Sequence, residues 1–181
     1  MKTRLLGTAG ILASPMLLIS GIRTGFQMRE SDRVNAALGL VFLAGWACSL
    51  IGLHRLRATG NGAGGAVLLA VQAVGLLLAV YQQLQDLSAH PNTQGPLYQI
   101  ANLAWPASVA WMVVVGGAAI AARKLTGWRR STPLLCGLAL PLLFGTMAML
   151  GQQEASLVFG LYTTMAWALL GLAIRSSSPT P

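Results

Sequence analysis

The chain has 181 residues, 55% of them hydrophobic and only 9% charged, with a formal net charge of +8. A soluble domain carries about 25% charged residues because water must be met over most of its surface. This composition therefore excludes a soluble globular protein and fits a chain whose surface is met by lipid and which needs charge only at its two ends.

Apolar runs follow one another in chain order at 5–22, 34–53, 63–84, 100–122, 133–151 and 155–174. At 1.5 Å per residue, about 20 apolar residues cover a hydrocarbon core of roughly 30 Å. Each run thus predicts one transmembrane helix. The expected fold class is an all-α integral membrane protein, a six-transmembrane-helix bundle forming a single domain over 1–175, with a disordered tail at 176–181. The first run follows Lys2 and Arg4 as a secretory signal would. Its apolar stretch exceeds the ~7–15 residues of such a signal and no small-x-small site follows, so it is read as a span.

The first span carries Ser14 beside Pro15, and the second carries Trp46 and Cys48. The third has Gln72 near its centre, where an amide with two donors and an acceptor finds nothing in hydrocarbon and must face protein or water. Between the third and fourth spans lies an amide-rich outer loop with Gln82, Asp86 and His90, continued by Asn102. The fourth span holds Pro106, Ser108 and Trp111, the fifth Cys136 and Pro141, and the sixth starts at Glu154 and carries Thr163, Thr164 and Trp167. Pro15, Pro106 and Pro141 each remove a backbone donor and free a carbonyl one turn earlier, so kinks are expected there. Cys48 and Cys136 are read as buried, inert thiols.

Leu12-Ala13-Ser14-Pro15 and Leu103-Ala104-Trp105-Pro106 form an echo half a chain apart, which would make a weak 3+3 inverted repeat. Orientation follows from the basic residues. Lys2, Arg4, Arg55, Arg57, Arg123, Lys124, Arg129, Arg130 and Arg175 fall on one side against Arg23, Arg29 and Arg33 on the other. The positive-inside rule then puts both termini in the cytoplasm, and the same charge attracts anionic lipid at that face. It is no nucleic-acid footprint.

The only histidines, His54 and His90, fall in loops, so no imidazole is expected at membrane depth to ligate haem or a metal, and neither a cofactor nor a metal is expected. No carboxylate or lysine is expected there either, which removes the usual coupling residue of pumps. Asp86, His90 and Glu154 contain acid, base or metal-ligand chemistry without diagnostic spacing. They are expected to sit in solvated loops with salt bridges to Arg23, Arg29 or Arg33. Two sets of candidate residues remain. Ser14, Gln72, Ser108, Trp111, Thr163 and Thr164 are candidates for an interior cavity; Gln82, Asp86, His90, Asn102 and Glu154 form the outer rim.

The favoured reading is a non-enzymatic protein of a bacterial inner membrane that binds or passes a small neutral or amphipathic molecule through a Pro-kinked, Gln72-centred interior. The alternative is a structural or accessory subunit that docks another membrane subunit or a second copy through small-residue faces. A membrane enzyme acting at the outer rim ranks third.

Overall fold

In lipid every backbone polar group must be bonded within its own segment, so an apolar chain has helices as its solution. The computed structural model describes residues 2–26, 32–90 and 92–177, and the regular structure among them is helical. The helices are α1 (Lys2–Ala13), α2 (Met16–Thr24), α3 (Arg33–Arg55), α4 (Ala63–Leu87), α5 (Pro96–Ala122), α6 (Thr132–Gly137), α7 (Ala139–Leu150) and α8 (Gln152–Arg175). A single 3₁₀ stretch, Gly127–Ser131, leads into α6. Thr3–Thr24, α3, α4, α5 and α8 are each long and apolar enough to cross a membrane, and Gly127–Gly137 with Ala139–Leu150 forms a further candidate bent by 53°.

The proline breaks have local causes. Pro15 cannot donate to the Ile11 carbonyl, and the Ser14 hydroxyl takes that acceptor at 2.8 Å, separating α1 from α2. Pro141 lies four residues after Gly137, where α6 ends and the 53° bend begins. Pro106, by contrast, is carried inside an uninterrupted α5. At the other corners, Gly25 closes α2 in the left-handed region (φ 62°) and Gly151 turns α7 into α8 (φ 95°), both conformations that a side chain disfavours. Asp32 caps α3 by accepting the Asn35 amide at 2.8 Å and pairs with Arg23 at 2.6 Å. The Asn35 amide, and after it the Arg23 guanidinium, hold the Asp32 carboxyl below the usual carboxylate range.

Close approaches at small residues set the directions. Gly7 meets Gly171 and Arg175 while Gly160 meets Leu18, so the first span runs antiparallel to α8. Gly10 meets Ser49 and Gly45 meets Ala13, which makes α3 antiparallel to α1. Gly75 against Ser108 with Trp111 against Leu68, and Gly116 against Leu134 with Gly137 against Val113, do the same for α4 with α5 and for α5 with α6. From α2 onward each helix packs on the next, while α1 packs on α3, and α8 closes back on α1 and α2. Both ends of the described chain therefore lie at one end of the bundle, together with the turns after α3 and α5. Since α8 begins at the opposite end, the bent pair links the two ends of the bundle, so the apolar helices number five, or six with the bent pair as one span. The cysteines are free, Cys136 buried and Cys48 partly so.

The core is made where α3 and α8 meet. Trp46 and Trp167 stand edge-on with centroids 5.0 Å apart, and Phe42 lies 5.4 Å from Trp167. Met112, Val109, Leu170 and Ile174 fill around them. The outer surface is apolar as well: Leu12, Leu77 and Leu103 are each 68% exposed and Met149 84%. Such an exposed apolar surface is compatible with lipid against it.

Two expectations differ at the ends of the chain's elements. Helix α4 runs on to Leu87, so Asp86 lies on the helix and is buried instead of standing in a solvated loop. At the tail, Ser176 and Ser177 continue the end of α8 by donating to the Leu172 and Ala173 carbonyls, and 178–181 lie outside the described residues.

Candidate functional site: a groove between α4 and α5

Two antiparallel helices leave a hollow wherever small residues face each other beside their line of contact. On α4 that residue is Gly75; on α5 they are Ala104, Ala107 and Ser108, around Pro106. The result is a groove of about 360 Å³ that opens sideways from the bundle, with exposed Val71, Val74, Ile100 and Leu103 at its mouth. Gly75 sets the close approach beside it, because a Cβ there would force the Ser108 hydroxyl to turn aside. The indole of Trp111 lines one end and donates to the Leu68 carbonyl at 3.0 Å, pinning α5 to α4.

Gln72 lies in the wall of this groove. It is the tenth residue of α4, about 14 Å along the helix from its start at 1.5 Å per residue, and so near the midplane of a bilayer roughly 30 Å thick. The residue is 1% exposed, and neither its amide nitrogen nor its carbonyl oxygen has a hydrogen-bond partner among the described residues. A buried polar group left so costs about 1–3 kcal/mol. In a membrane helix, where interhelical partners are the usual solution, this needs an explanation. The indole nitrogens of Trp46 and Trp167 are also unpartnered, but they belong to the packed aromatic core and line none of the grooves described here.

The other interior candidates are not gathered here. Ser14 donates to Ile11, Thr163 to Phe159 and Gly160, and Thr164 to Gly160, each within its own span. Such back-bonding satisfies a hydroxyl without any neighbour. Of the cavity candidates, then, Gln72, Ser108 and Trp111 share a site.

At the outer rim, Asp86 accepts from Tyr98 at 2.8 Å and from Gln82 at 2.9 Å. His90, Asn102 and Glu154 are exposed, and among the described residues none of them hydrogen-bonds to that cluster. Among the described residues the ion pair is Arg23–Asp32, so the expected salt bridges to Asp86, His90 and Glu154 from Arg23 and Arg33 are not formed; Arg29 lies outside the described residues. Nor do any three His, Cys, Asp or Glu side chains among the described residues come close enough to hold a metal ion.

Two further hollows exist. One, of about 500 Å³ between α3 and α4, is lined by Leu, Ile, Val and Ala alone. The other, of about 280 Å³ at the basic end, is lined by His54, Arg57, Thr59 and Asn61 among others. No family model, no curated protein and no solved structure matches this chain. Sequence reasoning found Gln72 but not the groove. Its available signal was Gly75, three residues on and therefore on the same helical face.

Proposed function

We propose that the chain is a non-enzymatic protein of a bacterial inner membrane that binds a small lipid-soluble molecule in the groove between α4 and α5. The observation that carries this reading is Gln72: an amide with no partner among the described residues, near midplane depth, in the wall of a sideways-opening hollow. Ligand sites are mostly apolar hollows of about 300–1,000 Å³ with a few fixed polar groups, which is the character of this one. Binding is favoured over passage because Trp46, Trp167, Phe42 and Met112 occupy the centre of the bundle, leaving access from the lipid side.

Filling the groove tests it. Ala107 is exposed and lines the hollow, so Ala107→Trp adds an indole there without entering the core. Mass spectrometry of solvent extracts should find a non-phospholipid molecule with the purified protein and lose it in Ala107→Trp at unchanged thermal stability. Identical extracts from the two proteins would dispose of the groove as a binding site.

The bundle is read with both termini in the cytoplasm, because Arg4, Arg55, Arg57, Arg123, Lys124, Arg129, Arg130 and Arg175 share that end. Anionic lipid is the expected surface partner there. A cysteine at Thr126 should react with a membrane-impermeant maleimide only from the cytoplasmic side and one at Asn92 only from outside. The reverse pattern would invert the topology.

The accessory-subunit reading is favoured by one observation. Gly117 and Ala121 are exposed at small-xxx-small spacing, and a side chain at Gly117 would meet nothing within 4 Å. A membrane protein crosslinked specifically from Ala121 in cells would move the assignment there.

A further inference from the structure

Resting on the groove reading, we infer that the occupant is a neutral molecule whose polar group pairs a hydrogen-bond donor with an acceptor, as a carboxamide does, and which brings that group to the bilayer midplane. Three features define this class. First, Gln72 offers both an N–H donor and a carbonyl acceptor side by side, and both lack partners among the described residues. A group that only accepts would leave the Gln72 oxygen orphaned, and one that only donates would orphan the nitrogen.

Second, no charged side chain among the described residues lines the groove. An ionised headgroup drawn to midplane depth would lose its hydration with no counter-charge to replace it. Third, depth excludes the bulk lipids. Gln72 sits about 14 Å along α4 from its start at 1.5 Å per residue, whereas phospholipid headgroups lie at the edges of a hydrocarbon core roughly 30 Å thick. A phospholipid seated in the groove would present only its acyl chain to the amide.

The geometry allows the contact. Gln72 lines the hollow with its two amide atoms closed off from it, so contact requires the side chain to turn, and the rotatable bonds of a glutamine permit that. Ser108, 4% exposed and on the facing helix, lines the same hollow and adds a hydroxyl.

A decyl series separates body from headgroup. Wild-type protein, Gln72→Leu and Ala107→Trp would be placed in phosphatidylcholine nanodiscs and titrated with radiolabelled decanamide. Unlabelled methyl decanoate (acceptor only), decane (no polar group) and decyl sulfate (charged) would serve as competitors. Decanamide should bind wild type saturably, with methyl decanoate about tenfold weaker and decane and decyl sulfate weaker still. Gln72→Leu should lose about tenfold for decanamide while methyl decanoate changes little. Ala107→Trp should lose every probe. If decanamide, methyl decanoate and decane compete equally and Gln72→Leu matches wild type, the headgroup inference is overturned while the groove reading survives. Decyl sulfate as the strongest competitor would also overturn it. If wild type binds no probe saturably, or Ala107→Trp makes no difference, the groove reading falls and the inference with it.

Discussion

Gly116→Leu is expected to stop the bundle from assembling, whereas Gly117→Leu, one residue further along α5, is expected to be neutral or slightly stabilising. At Gly116 even a Cβ would overlap the Leu134 backbone nitrogen and Cα, atoms that cannot turn aside as a side-chain tip can. The only relief is to move α6 away from α5, which would break the path by which the bent pair crosses the bundle. Overpacking usually costs about 1–3 kcal/mol, and a main-chain clash belongs above that range. At Gly117 nothing lies within 4 Å. There the substitution escapes the helix penalty of glycine, worth up to about 1 kcal/mol, and adds an apolar side chain where lipid waits. Size-exclusion profiles and thermal unfolding in one detergent would compare the pair. Equal behaviour of the two variants would mean that α5 and α6 do not pack as described.

The second large effect is expected at Trp167. Trp167→Ala should cost about 3–5 kcal/mol, the range for removing a large buried aromatic. The ring is 2% exposed, and it supports Trp46 at 5.0 Å and Phe42 at 5.4 Å. Trp167→Phe should be far milder. Its indole nitrogen has no partner among the described residues, so phenylalanine loses no hydrogen bond and removes a desolvated N–H worth about 1–3 kcal/mol, offsetting much of the lost volume. Thermal unfolding and the near-ultraviolet dichroism of the tryptophans would report both. A Trp167→Phe as damaging as Trp167→Ala would show that the N–H is bonded after all.

How much of this was legible beforehand depends on the range of the interaction involved. Six apolar runs were readable because span length is set by the bilayer, a single distance that acts on each segment alone. The helix ends differ from those runs by a few residues at most, as where α3, capped by Asp32, begins at Arg33. The three prolines looked alike in sequence but behave differently: Pro15 breaks its span with help from Ser14, Pro141 bends its span by 53°, and Pro106 leaves α5 continuous. Neighbouring packing decides the size of a kink, and that packing is not written locally.

Gln72 stood out because an amide in hydrocarbon is anomalous wherever the helix points. The groove beside it did not, since it requires Gly75 to face Ala104, Ala107 and Ser108 across a contact between two helices. Thr163 and Thr164 share the interior candidacy of Gln72 in the sequence, yet their hydroxyls bond the preceding turn of α8. Asp86 misled in the other direction. It lay past the apolar run and read as solvated, but a longer α4 and the Tyr98 hydroxyl enclose it.

The most direct test of the central claim is an electron cryo-microscopy map of the wild-type protein in lipid nanodiscs, read at the groove between α4 and α5. The account predicts density for a bounded, non-phospholipid molecule there, with its polar end within hydrogen-bonding distance of the Gln72 amide. A Gln72 amide bonded to protein instead, beside an acyl chain running unbroken from the groove to a headgroup at the membrane surface, would contradict it.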